Sequence, residues 1–258
     1  TIYIFSDNVN EEKNIEEQNK VRSVIKFLKK LKNKKFRIIF KKKNLGLKKN
    51  WESAYEFMFK KYTKVICLQD DDLIKKNFIN YMIYYLNKYE NNKRVMNITG
   101  FASKIYLPKD YKYDSYFTMR SMSYTQASWR RVWKLFKKLN KNHKKIFKDK
   151  RKKKLLNQAG TDLLPLLILD YLKIVDSIQI WWTWNIIKNN GLCLNPTSSY
   201  VNNLGFDDGL ATHYYKRKIL QNSFDKNKTL RLNKIIHNEK IDKSFQSNYN
   251  CSKFTFYL

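Results

Sequence analysis

Cysteine is scarce in this chain: Cys67, Cys193 and Cys251 form an odd set with no Cys-x-x-Cys spacing. That argues against a disulfide framework or a zinc site and suits a reducing compartment. Cys67 lies in an apolar run and reads as core filler. Long apolar runs are missing too. No stretch approaches the ~20 residues a membrane span requires, because Leu163–Val175 is interrupted by Pro165, Asp170 and Lys173. No secretory leader is visible, and a start at Thr1 on strand-like residues suits a piece of a longer protein. Acidic side chains are the third shortage, 22 Asp and Glu against 53 Lys and Arg, for a formal net charge of +31. An excess of that kind can serve nucleic acid, anionic lipid or phosphorylated substrates. Here nearly all of it is lysine, spread along the chain amid Asn and Ile, as an AT-rich genome would also produce. A generic cationic surface is the preferred reading.

What is present is enough to fold. Hydrophobic residues make up 43% and aromatics 16% of 258 residues, which suits one large α/β domain, or one domain with a modest extension, around a real core. The most informative stretch is Val65–Leu73, VICLQDDDL. A short apolar run is the signature of a strand buried on both faces, and ligands of α/β sheets bind beyond the carboxyl ends of such strands. Strand alternation would put Asp70 and Asp72 on one side and Asp71 on the other. Three adjacent carboxylates repel unless a cation or hydrogen bonds compensate, and oxygen-only ligands favour Mg²⁺ or Mn²⁺ shared with substrate phosphates. The plainer alternative is an acidic helix start.

In chain order, Thr1–Asp7 reads as a strand and Glu11–Leu31 as a helix with Val21, Val24, Ile25, Leu28 and Leu31 on one face. Phe36–Phe40 reads as a strand, Asn44–Gly46 as a turn, and Lys48–Tyr62 as a helix bearing Trp51, Tyr55 and Phe59. After the Val65 strand come a helix over Phe78–Tyr89 and a strand over Val95–Gly100, a doubly wound alternation. Beyond Phe101 the alternation fades. Tyr124–Phe136 reads as one helix, with Trp129 and Trp133 four apart. Lys137–Lys154, the densest basic run, reads as an exposed loop; its functional alternative is docking onto anionic headgroups or a lipid-linked phosphate. Gly160–Val175 reads as a helix starting at Thr161-Asp162. Trp181, Trp182 and Trp184 suit core packing better than a sugar-stacking platform. Leu192–Leu194 is a short strand, Val201–His213 a loop, and Lys228–His237 a helix before a tail.

Taken together, the blocks IYIFSDN, NLGLKKN, VICLQDDDL, VMNITGF, YTQASWRRVW, AGTD, DSIQIWW and SYVNNLGFDDGLATH resemble, in that order, the nucleotide-sugar glycosyltransferases of the GT-A fold. They look most like bacterial enzymes distantly similar to the N-acetylglucosaminyltransferase I type, whose acidic motif is Glu-Asp-Asp-Leu. The resemblance covers roughly Thr1–His213. It implies an α/β fold of GT-A (Rossmann-like) type, with a mixed, mostly parallel sheet flanked by helices over residues 1–214, followed by a basic extension over 215–258. The strand and loop that hold the nucleotide base in that fold would lie upstream of Thr1.

Residue by residue, the resemblance implies that Asp72 binds a divalent cation, Mn²⁺ or Mg²⁺, held by the donor diphosphate, and that Asp70 and Asp71 contact ribose or donor sugar. His213 matches a late histidine that completes the metal site, though a lone histidine is by default structural. Asp162 matches the acid at a late helix start that acts as general base in inverting members, which requires hydrogen-bond reach to the acceptor hydroxyl; it is equally a plain N-cap. The Trp129 block departs from the family's Gly-Trp-Ala-Thr-Trp, and Arg130 and Arg131 read as phosphate contacts or solvated positions. The implied activity is metal-dependent transfer of a hexosyl or N-acetylhexosaminyl group from a nucleotide-sugar donor to a glycan or lipid-linked acceptor. The implied setting is the cytoplasmic side of a bacterial inner membrane, with peripheral contact to anionic lipid and no nucleic acid. A metal-dependent nuclease or nucleic-acid-binding protein is the rival from another class, and a non-catalytic glycan-binding relative is the third reading.

Overall fold

A computed structural model describes residues 1–31, 33–122, 124–204, 230–236 and 238–250. The chain is mixed α/β, with a sheet flanked by helices, and divides into two compact units, Thr1–Lys61 and Tyr62–Leu258. The expected boundary at 214/215 falls among residues outside the described set.

In the first unit β1 (Ile2–Ser6) pairs in parallel with β2 (Phe36–Phe40), Ile2 opposite Phe36 and Ser6 opposite Phe40. Between them runs α1 (Ile15–Lys30), which begins four residues later than the periodicity suggests. Its start is set by Asn14, whose side chain accepts the Glu17 N–H at 2.8 Å. Acids in the first turn and lysines in the last complement the helix dipole. The second helix, α2 (Gly46–Lys61), begins on a left-handed glycine, Gly46 at φ +72. Its first amides are satisfied from a distance: Leu45 and Gly46 both donate to the Asp7 carboxylate at 2.9 Å. A strand-end aspartate thus caps the following helix, and Phe57 packs its ring between Tyr3 and Phe5.

The second unit is built on five strands in the order β3-β7-β5-β8-β6. These are β3 (Lys64–Cys67), β5 (Val95–Thr99), β6 (Ser115–Thr118), β7 (Gln126–Trp129) and β8 (Leu192–Pro196). β3, β5 and β8 run in one direction; β7 is reversed between β3 and β5, and β6 is reversed at the edge. The shared direction is therefore that of three strands, but only β5–β8 is a parallel ladder in this sheet. A further pair, β4 (Asp72–Ile74) with β9 (Val201–Asn203), is antiparallel.

Against the sheet lie α3 (Phe78–Lys88), α4 (Arg130–Lys137) and α8 (Ile178–Lys188), each contacting sheet strands directly. All five residues of β5 are buried, as a strand covered on both faces requires. Its polar Asn97 is satisfied: Trp182 donates its indole N–H to Asn97 Oδ1 at 3.1 Å, and Asn97 Nδ2 donates to Cys193 Sγ. Trp181, Trp182 and Trp184 are all buried in α8, so they belong to the core and form no sugar platform.

Several expected elements are corrected. Tyr124–Phe136 is a strand followed by a helix, because Gln126–Trp129 fills the ladder between β3 and β5 before α4 starts at Arg130. Lys137–Lys154 is largely helical, as α5 (His143–Phe147) and the first half of α6 (Lys150–Gln158). The helix at 160–175 is shorter, α7 (Leu163–Tyr171). Residues 230–236 are not helical; Leu230 forms a bridge with Tyr113, and the last helix is α9 (Glu239–Ser247). No helix among the described residues is long and apolar enough to cross a membrane.

Candidate functional site

The acidic triplet lies at the carboxyl end of β3, as the apolar run predicts, but in neither of the expected local conformations. Asp70 and Asp71 occupy a tight turn between β3 and β4, closed by Asp72, the first residue of β4, whose N–H donates to the Gln69 carbonyl at 3.2 Å. The chain becomes helical only at Phe78, after Asn77 in the left-handed region. Strand alternation therefore does not govern the three carboxylates, and they do not start a helix.

Asp72 is held by its neighbours. Its Oδ2 accepts the Gln69 N–H at 2.9 Å and the Thr125 N–H at 3.3 Å, and Oδ1 accepts from Asn203 Nδ2 at 3.3 Å. Burial pushes the Asp72 carboxyl up to about 6; the Gln69 and Asn203 hydrogen bonds oppose this, and the adjacent Asp71 charge adds to it. Asp71 is anchored through its backbone, whose carbonyl accepts the Leu204 N–H at 2.8 Å. Its side-chain Oδ1 is buried without a hydrogen-bond partner, a costly state for a carboxylate oxygen. Asp70 is exposed.

This arrangement can be tested against a divalent cation. Among the described residues no group of three His, Cys, Asp or Glu side chains is placed to hold a metal ion, and His213 lies outside the described residues. An unpartnered carboxylate oxygen on Asp71, next to a second half-buried carboxylate, nonetheless suits Mg²⁺ or Mn²⁺, which take one or two carboxylates and complete their shell with water and substrate phosphates. The donor set fits, and it shifts emphasis from Asp72, whose two oxygens already accept three hydrogen bonds, to Asp71.

The turn is buttressed by groups that the sequence does not single out. Thr125 reaches Asp72 from a strained backbone at φ +39. Gly100 donates its N–H to the Thr125 carbonyl at 3.0 Å. A Cβ on Gly100 would come within 2.6 Å of both Phe78 Cε2 and Thr125 Oγ1, so only glycine allows that approach.

Asp162 stands at the N-cap position of α7 but makes no side-chain cap hydrogen bond, so its side chain is not the plain cap of the alternative reading. Instead both oxygens accept from the fork of Arg120, Nη1 to Oδ1 at 2.6 Å and Nη2 to Oδ2 at 2.9 Å. The Arg120 guanidinium also stacks over the Tyr249 ring at 4.0 Å. Gly160 makes room for this pair, since a Cβ there would sit 2.6 Å from Arg120 Nη1 and 2.7 Å from Asp162 Oδ1. A bidentate arginine occupies two of a carboxylate's roughly four acceptor directions, leaving the outward ones for another donor. No hydrogen bond or ion pair among the described residues joins Asp162 to Asp70, Asp71 or Asp72. The two places are linked through packing: Phe101, Met122, Tyr124 and Tyr249 share one buried cluster.

Of the two arginines of the Trp129 block, Arg131 is committed to the chain's own backbone. Arg131 donates to the carbonyls of Tyr89, Glu90 and Val95, and its burial lowers the guanidinium to about 10. Arg130 donates to the Tyr62 carbonyl. Two solvent-open hollows, about 500 and 660 Å³, are lined mainly by basic side chains, and neither includes an acid-turn residue. No protein-family model matches the chain, and no curated protein matches it.

Proposed function

We propose that the chain is a metal-dependent glycosyltransferase of GT-A type, taking a nucleotide-sugar donor and a glycan or lipid-linked acceptor. The observation that carries this reading is the buried, unpartnered Asp71 Oδ1 in the acid turn that follows β3, an edge strand of which Val65 alone is fully buried. When bound, a divalent cation supplies charge stabilisation to the departing nucleotide diphosphate. Asp71 and Asp72 hold it, and Asp70, exposed at the rim, is free to meet ribose or sugar hydroxyls. Asp162 accepts the acceptor's proton through an outward lone pair while Arg120 fixes its orientation. His213 remains part of the proposal as a second metal ligand.

The test is a melting panel of UDP-, GDP- and CMP-sugars with and without Mn²⁺. A ligand at a hundredfold its Kd stabilises by about 2.7 kcal/mol, which is about 5 °C or more in a chain of this size. One donor should produce that rise with Mn²⁺ and not without it, and Asp71→Ala should lose the rise. If no donor shifts the transition, or if Asp71→Ala responds like the wild type, the metal-donor site is refuted. The engagement of both Asp162 oxygens by Arg120 favours one second reading, a non-catalytic relative that binds glycans. Asp162→Asn separates the two: loss of transfer with donor binding kept supports the enzyme, while a wild type that binds donor and never transfers supports the relative.

A further inference from the structure

The second hollow, of about 660 Å³, is lined by Lys145, Lys148, Asp149, Lys150, Arg151 and Lys152 at the turn between α5 and α6. Asp149 is the one acid between Lys137 and Lys154. Its charge is already engaged: it caps α6 through the Arg151 and Lys152 amides and pairs with Lys152 Nζ at 2.9 Å. Ile146 and Leu156 are buried beneath, which turns the basic side chains outward.

An independent feature lies alongside. The end of α7 exposes three large apolar residues among four consecutive positions: Tyr171 at 43%, Leu172 at 56% and Ile174 at 67%. This exposure is built in. The turn is fixed by Lys173 in the left-handed region and by Ile174 N–H donating to the Leu169 carbonyl at 3.0 Å. Tyr171 packs on Phe147 and His143 of α5, at 5.8 and 5.5 Å between ring centres, which puts the start of the apolar stretch against the helix that leads into Lys148 and the hollow. His143 is bonded to Asp170 at 2.8 Å, and Asp170 also accepts the Trp181 indole N–H, which locks α5, α7 and α8 together.

We propose that this face docks onto an anionic lipid bilayer, with the α5–α6 cations on the headgroups and Leu172 and Ile174 entering the acyl boundary. Lysine-dominated charge suits a diffuse layer of headgroups, and apolar side chains beside it add the second attachment that stable peripheral binding needs. A polynucleotide would make no use of exposed Leu172 and Ile174. The inference is independent of the sugar-transfer reading, and its failure would leave that reading standing.

The experiment is sedimentation of the full chain with vesicles of phosphatidylcholine alone or with about one-third phosphatidylglycerol. Binding is expected only to the anionic vesicles and should weaken between about 0.1 M and 0.5 M NaCl. Lys145→Gln, Lys148→Gln, Lys150→Gln and Arg151→Gln together should lower partitioning roughly tenfold or more. Leu172→Ser with Ile174→Ser should lower it roughly fivefold while leaving the salt dependence in place. All six positions are exposed, so an unchanged melting temperature is the control for folding. Equal binding to neutral vesicles would overturn the proposal. So would displacement by single-stranded RNA combined with indifference to the Leu172/Ile174 changes, which would assign the face to polynucleotides.

Discussion

Asp72→Asn tests the electrostatics of the acid turn most directly. The folded carboxyl sits at about 6 against an ordinary value of 3.8, about two units, so ionising it in place costs about 3 kcal/mol at most. Partial contact with solvent makes that an upper value. Between about pH 4 and pH 6 the folded chain binds more protons at this position than the unfolded chain, so stability falls as pH rises through that window. Above it the cost is fully present. Asparagine keeps one oxygen for the Gln69 and Thr125 amides, and Asn203 can turn its amide to meet the new donor. The variant should therefore gain on the wild type as pH rises, by up to about 3 kcal/mol between pH 4 and pH 7. Urea denaturation at a series of pH values reads the difference between the two curves, in which titrating groups remote from the turn cancel and the adjacent Asp71, coupled to Asp72, does not. A flat difference would show that Asp72 carries no such penalty. If the turn also holds Mn²⁺ with a nucleotide diphosphate, adding both should move the wild-type step to lower pH.

Two other perturbations follow from close contacts. Gly100→Ala places a methyl against Phe78 and Thr125; it should cost about 1–3 kcal/mol by overpacking and weaken Mn²⁺-dependent donor binding by displacing Thr125 from Asp72, both readable in one melting panel. Arg231→Ala removes the cation paired with buried Asp114 at 2.7 Å while the Tyr85 and Ser115 hydroxyls still donate to that carboxylate, and should cost about 1–3 kcal/mol. Because Leu230 and Leu232 are tied to the same place by Asp114 N–H and the Tyr85 hydroxyl, their amides should lose exchange protection first. Uniform loss across the fold would refute a local clasp.

Where a segment's partners are local, its sequence is a good guide. β2 has the boundaries its residues suggest, α3 and β5 differ by one residue at the end, and the acid triplet falls at the end of β3. The failures have tertiary causes. Trp129 and Trp133 satisfy helical spacing, but an open ladder between β3 and β5 takes 126–129 as strand. β6 and the short β4–β9 pair exist only through partners far along the chain. The basic run hid two short helices, each with one buried apolar residue, though Asn142 and Asp149 were readable cap signals. Asp162 was legible as a special acid, but its partner Arg120 lies 42 residues away and carries no signature of its own. The unpartnered oxygen of Asp71 is likewise a property of the folded turn.

The clasp of His143, Asp170 and Trp181 has a practical use. The indole of Trp181 stands edge-on to the His143 ring, 4.8 Å between centres, with its N–H fixed to Asp170. Its emission is therefore a native gauge of how tightly α5 is seated on α7 and α8. Trp181 is one of six tryptophans, so the part of an emission change that Trp181→Phe removes is the part that reports a ligand lifting or tightening that seat.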